Sequence, residues 1–396
     1  MIEVNFLQNK IFMGVKMGTY IKGAGMTKFD VDHRNSHDRI YECVNEALDF
    51  GNMAFEDIDA IFVANIEPEA NGERQKHTGP MLSSMFQRKL PILTVLAGCG
   101  GGGAALWNAI NFQKTSNSKN VLVVGFEKLV TNTSEKVTDE MSRVGERIYE
   151  QAEGVIFPAQ NALVAQQYMM KYGATSEDLA LISLKNHENA YLNPKARFYG
   201  KKVTLDMIQN SPVVASPLRL FDCSISVDGA AAAIVSKEKS DVEIIGSALY
   251  ADRLPAFEAS DMTSWESTKL AAAAAYSQAG ITSQDVDFAE LHDAFTSVEL
   301  MSYEDLGFAE KGEGKNLIKK GVTKINGKLP VNTSGGLKAK GHPVSATGIS
   351  QIYEIVKQMR KQAGKRQIDK TRIGLAHNVG GVGSTATVHI LKHIGG

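Results

Sequence analysis

Cys99 follows the apolar, strand-like run Leu93-Thr94-Val95-Leu96-Ala97-Gly98 and precedes four glycines, Gly100 to Gly103, that open the helical stretch Ala104 to Ile110. A thiol at a strand-to-helix turn lies beside the unpaired N–H groups of a helix's first turn. Those groups and the helix dipole favour the thiolate, which is the nucleophilic form. Glycines there remove side chains that would keep a substrate away from the sulfur and the backbone. Cys99 is therefore the candidate covalent nucleophile. Three further clusters each close a predicted strand: His292-Asp293-Ala294-Phe295, then Asn332 to Gly336 running on to Gly341-His342-Pro343, then His377-Asn378-Val379-Gly380-Gly381. In open α/β sheets ligands gather at the carboxyl ends of strands. A cysteine, imidazoles and glycine loops offering N–H groups would supply nucleophile, base, acid and oxyanion hole for acyl transfer.

Each of these has a blander reading. A single histidine more often packs in a hydrogen-bonded interior than reacts, and His33, His37, His77, His187, His389 and His393 take that reading; His377, beside the last glycine loop, is left open. Gly98-x-Gly100-x-x-Gly103 between a strand and a helix matches a dinucleotide-binding pattern, with Glu127 at the distance of a ribose ligand. Four consecutive glycines meet that pattern easily, so a nicotinamide oxidoreductase ranks last. No Cys/His spacing suits zinc, and no metal is expected.

The elements that must position these groups occur twice in the same order. A strand (20–25), a helix (38–50), Glu56-Asp57-Ile58-Asp59 and a strand (60–65) have counterparts in 242–248, 264–279, Gln284-Asp285-Val286-Asp287 and 288–292. Leu90-Pro91-Ile92 with its glycine turn and helix corresponds to Leu329-Pro330-Val331, a glycine-rich turn and the helix 346–359. Apolar runs 121–125 and 230–235 pair, as do 373–376 and 384–391. Alternating strand and helix signals imply a layered α/β structure, and repetition of the whole order implies two similar halves. Residues 127–222 have no counterpart; they hold helices over 158–172 and 177–190, the second with Ser176 as its expected N-cap. The expected division is an N-terminal extension (1–16), a first half (17–240) carrying this insertion, and a second half (241–396).

Bulk composition narrows the class. The 396 residues carry 43 Lys and Arg against 44 Asp and Glu, which suggests neither a nucleic-acid nor a membrane-surface partner. The densest basic run, Lys311 to Lys320, reads as a solvated loop. Three cysteines (Cys43, Cys99, Cys223) fit a reducing cytoplasm rather than a disulfide framework.

Together the four clusters resemble the thiolase superfamily, and in it the sterol-carrier-protein-type and archaeal acetoacetyl-CoA thiolase branch. The resemblance runs from Met17 to Ile394 and is most specific over Asn332 to Gly348 (NTSGGLKAKGHPVSATG), close to the signature NxxGGxxxxGHPxGxxG. Tyr172-Gly173 and the segment from Asp222-Cys223-Ser224 to Ala230 also fit. The resemblance implies a five-layered αβαβα sandwich of duplicated halves, a loop domain that holds coenzyme A, and a homodimer or homotetramer. It implies an acetyl-CoA C-acetyltransferase in which Cys99 takes the acyl group, His342 activates it, and His292 stands where the wider family has an oxyanion-binding Asn. The N–H groups of Cys99 and Gly380 would form a second oxyanion hole. CoA thioesters would be substrates, with no resident cofactor, and hydroxymethylglutaryl-CoA synthase and a zinc-ribbon/OB-fold protein would be partners. The sequence departs from the pattern at three places. Asn378 stands where many thiolases have a second cysteine, Ala294 where the sterol-carrier type carries it, and Ser345 in place of a glycine. Cys43 and Cys223 read as packing cysteines. His292 or His342 is therefore expected to take over the second proton transfer, imidazole having the basicity for it. An acyltransferase to a non-CoA acceptor and a non-catalytic scaffold subunit are the alternatives.

Overall fold

A computed structural model describes residues 18–66, 73, 75–130 and 133–395. The extension assigned to residues 1–16 lies outside them. The first half contains β1 (Tyr20–Met26), α1 (Ser36–Gly51), β2 (Ala60–Ala64), α2 (Thr78–Met85), β3 (Ile92–Val95), α3 (Gly101–Thr115) and β4 (Asn120–Glu127). Next come α4 (Ser134–Ser142), α5 (Phe157–Tyr172), α6 (Ser176–Tyr191), α7 (Leu205–Gln209) and the small hairpin β5 (Val213–Ala215) and β6 (Leu218–Arg219), before β7 (Gly229–Ser236). The second half runs β8 (Val242–Ala251), α8 (Glu266–Ala279), β9 (Phe288–Glu290), α9 (Thr296–Asp305), α10 (Gly314–Lys319), α11 (Thr347–Met359), β10 (Ile373–Gly380) and β11 (Thr385–His393).

Strand order displays the duplication. Nine strands follow the order β3-β2-β4-β7-β1-β8-β11-β10-β9. The sequence of pairings reads the same outward from the β1/β8 seam, where one antiparallel pair, Tyr20 with Glu243, joins the halves. On each side a parallel group (β3, β2, β4; β9, β10) meets antiparallel strands (β7, β1; β11, β8). The counterpart of β3 in the second half is only a bridge between Val331 and Ala289. Helices α3 and α11 touch each other and strands of both halves, so they form a central layer between the half-sheets, with α1 and α8 outside. The chain is thus a five-layered α/β sandwich.

Local sequence explains the ends of these elements. The Asn35 side chain accepts from Asp38 N–H at 2.9 Å and caps α1, while Asn52 closes it at φ 50°. Thr175, not Ser176, caps α6, through a reciprocal box with Asp178. The basic run 311–320 is largely helical rather than a free loop: Lys311 pairs with Glu304 and Asp305, and Lys319 with Asp178. Among the described residues no helix is long and apolar enough to cross a membrane.

The central layer depends on small residues. A Cβ on Gly348 would come within 2.3 Å of Gly103 N and 2.5 Å of Asn378 Oδ1, because the first turns of α3 and α11 press together. Gly348→Ala should therefore force those turns apart and lower stability by about 1–3 kcal/mol. An unchanged urea midpoint for the variant would contradict this close approach.

Candidate active site

Cys99 sits in a single tight turn, Gly98–Gly100, immediately before α3. Gly98 adopts φ +51°, a region that L side chains rarely occupy, and a Cβ there would lie 2.7 Å from Val144. The last glycine loop folds over this turn. The Gly381 N–H favours the ionised form of the Cys99 sulfur, and Gly380 packs so closely that a Cβ on it would lie 2.4 Å from the Ala97 carbonyl oxygen. Gly381, next to the Gly380 expected in the oxyanion hole, thus acts on the sulfur itself, a role that adjacent glycines in a sequence do not reveal.

Burial pushes the Cys99 thiol up to about 12, and the Glu127 charge adds to the effect; the Gly381 and Cys99 N–H groups act in the opposite direction. The expectation of a resting thiolate is thus corrected. Desolvation at a residue only 9% exposed outweighs the helix start, and the resting sulfur is protonated. Glu127 itself is fully buried at the end of β4, where it accepts from Asn65 Nδ2 (3.2 Å) and Ile66 N–H (2.6 Å). It is a tie between strand ends.

His292 follows β9 and His342 follows the turn Gly336–Lys340; their rings meet edge-on at 5.4 Å and 88°. His292 Nδ1 lies 3.0 Å from Asn378 Nδ2, and the same amide donates to the Cys99 carbonyl (3.1 Å) and accepts from Gly103 N–H (3.1 Å). Burial, then the neighbouring His342 and His377, hold His292 well below the usual histidine range. Burial likewise brings His342 down to about 4, with its Nδ1 2.8 Å from Thr347 Oγ1. Both rings are neutral at working pH. Thr347 opens α11 five residues after His342, a contact no motif announced.

Cys99, His292 and His342 line one cavity. Its lining also includes exposed Thr138 and Ser226 and buried Trp265, Phe295, Val298 and Asn161. Cys223 also faces this cavity, half-buried, so it is not simply a packing cysteine, whereas Cys43 is sealed within α1. Side-chain alternation along β10 sends Asn378 inward and His377 outward, where its Nε2 meets Thr268 Oγ1 at 3.0 Å. His377 is no part of the site. His389, between Ser247 and the Gly103 carbonyl, and His187, edge-on to Phe198 and Phe221, are packing histidines as expected.

A protonated thiol beside a neutral imidazole has a kinetic signature. The iodoacetamide reactivity of Cys99, isolated by comparison with Cys99→Ala, should climb roughly tenfold per pH unit from pH 7 to 9, as for a thiol titrated well below its pKa. A plateau already reached at pH 7 would show a preformed thiolate instead.

The family model described as "Thiolase, N-terminal domain" matches residues 19–239, and "Thiolase C-terminal domain-like" matches residues 250–393. An acetyl-CoA acetyltransferase of Methanothermobacter thermautotrophicus is 38% identical over 93% of this chain and 98% of its own length. Sterol carrier protein 2 of Homo sapiens is 30% identical over 94% of this chain and 71% of its own. Among solved structures, a chain of the Ltp2-ChsH2(DUF35) aldolase superposes with TM-score 0.80 at 25% identity, covering 95% of this chain and 98% of that one. With family models matching both halves and a relative 38% identical across nearly its whole length, this chain belongs to the thiolase family.

Proposed function

We propose that this chain is an acetyl-CoA C-acetyltransferase, with Cys99, His292 and His342 as its catalytic residues. The observation that carries the reading is the cavity in which a thiol meets two neutral imidazoles, each with its Nδ1 held away from the space a substrate would fill. The 38% identity to the archaeal acetyl-CoA acetyltransferase supports the substrate. Cys99 loses its proton to His342 as the sulfur attacks the acetyl thioester, and the CoA leaving group takes that proton. The resulting acetyl-enzyme then meets the enolate of a second acetyl-CoA, formed when an imidazole removes a Cα proton, and acetoacetyl-CoA is released. The N–H groups of Cys99 and Gly380 would hold the first oxyanion, with Gly381 N–H supporting the sulfur. The chemistry draws only on CoA thioesters and the chain's own groups.

Within the first half (17–240), we assign residues 127–222 to a loop domain that holds CoA; the second half is 241–396. We further propose a cytoplasmic homodimer or homotetramer. β3 is an edge strand, and Leu93 within it and Leu96 just after it are 57% and 70% exposed, as at a surface awaiting a second copy. Partnership with hydroxymethylglutaryl-CoA synthase and a zinc-ribbon/OB-fold accessory protein is part of the same proposal, and the similarity to a chain of the Ltp2-ChsH2(DUF35) aldolase supports the accessory.

Intact-protein mass spectrometry after exposure to acetyl-CoA should show one acetyl adduct on the parent and none on Cys99→Ala, with acetoacetyl-CoA accumulating. An adduct without acetoacetyl-CoA would favour transfer to a non-CoA acceptor, a reading that the lack of a thiol at positions 294 and 378 leaves standing. No adduct at all would end the enzymatic reading. Leu93→Arg should shift sedimentation toward the monomer; an unchanged profile would place the interface elsewhere.

A further inference from the structure

We infer that Asn378 is a positioning residue that keeps the proton of His292 on Nε2, and that His342 is therefore the base in both half-reactions. The inference rests on the thiolase reading above and deepens it.

The argument begins with the orientation of one amide. Asn378 Oδ1 accepts from the Gly103 backbone N–H, which can only donate; Asn378 Nδ2 donates to the Cys99 backbone carbonyl, which can only accept. Both bonds, each 3.1 Å, demand the same orientation, so the amide cannot be turned over. Its second Nδ2–H then points at His292 Nδ1, 3.0 Å away, and that nitrogen must accept. A neutral imidazole whose Nδ1 accepts carries its proton on Nε2. Burial and the adjacent His342 and His377, the two ionisable groups that act on His292, keep it from taking a second proton.

The two histidines therefore differ in what they offer the cavity. His292 presents an N–H donor. Its Nε2 is filled and its Nδ1 is occupied, so it can polarise a thioester oxygen but cannot collect a proton. His342 meets a hydroxyl, Thr347 Oγ1, that can accept from Nδ1–H and leave Nε2 bare. The second half-reaction then balances. His342 Nε2 takes a Cα proton of acetyl-CoA while His292 Nε2–H holds the enolate oxygen. The carbanion forms a C–C bond to the acetyl carbon on Cys99 and the C–S bond breaks. The sulfur recovers its proton from His342, and both groups return to their resting state. Asn378, standing where many thiolases carry a second cysteine, replaces that base with a device that tells two imidazoles apart.

Neutron diffraction from deuterium-exchanged crystals of the parent should place deuterium on Nε2 of His292 and none on Nδ1; deuterium on Nδ1 alone overturns the inference. Asn378→Asp keeps the acceptor for Gly103 N–H but cannot donate to His292, so it should draw the proton to Nδ1. Condensation should then fall about 100-fold or more, the scale of losing one oxyanion donor. Acetylation of Cys99 in a single turnover should fall far less, and the added carboxylate should bring a new His292 ionisation into the pH profile of condensation. If acetylation and condensation fall together in Asn378→Asp and in Asn378→Leu, the residue merely packs the cysteine turn and the inference is wrong. Absence of an acetyl adduct in the parent would fail the thiolase reading instead, whatever the tautomer. Should either variant not fold, the neutron result on the parent decides the matter alone.

Discussion

The Asp293 carboxylate joins three segments that are far apart in the chain, and the geometry of the site follows from it. It is fully buried, accepts from Leu337 N–H (2.6 Å) and Lys338 N–H (3.3 Å) at the turn leading to His342, and accepts from Asn186 Nδ2 (2.7 Å) on α6. The turn comes so near that a Cβ on Gly336 would sit 2.3 Å from the carboxylate. Because Asp293 adjoins His292 in the chain, this anchor sets the spacing between the two imidazoles. Burial, and then the Glu299 charge, raise it to about 7, a cost the surrounding donors offset only in part.

The polar face of α6 extends the same network. Lys185 pairs with Glu299 and donates to the Val331 carbonyl, Asn189 donates to the Asn332 carbonyl, and Asn193, just past the helix, donates to the Ser334 carbonyl. Buried donors left without these acceptors would each cost of order 1–3 kcal/mol, so the insertion cannot be lifted from the second half without exposing a network. The reacting groups are divided in the same way. Cys99 comes from the first half, both imidazoles and Asn378 from the second, and neither half alone holds a complete site.

Much of this was legible in the sequence because it is encoded locally. The strand-to-helix turn at Cys99 and the repeated strand–helix order follow from periodicity and glycine placement, and the strands from Asn120, Gly229, Ile373 and Thr385 lie where apolar runs predicted them. Cys99, His292 and His342, expected to act together, line one cavity. What escaped notice depends on distance in three dimensions. The protonation of Cys99 is decided by burial, which a turn motif does not report. The exposure of Cys223 to the cavity reflects its bridge beside Phe295, far away in sequence. Thr347 and Gly381 matter through one atom each, and the division of labour between the histidines through the orientation of one amide.

Burial of the sulfur as a neutral thiol also bears on how such an enzyme survives between encounters. Peroxides and adventitious electrophiles react with thiolates, and oxidation beyond the sulfenic stage is hard to reverse. A nucleophile that ionises only as a thioester fills the space beside it is shielded chemically while idle, without needing a lid.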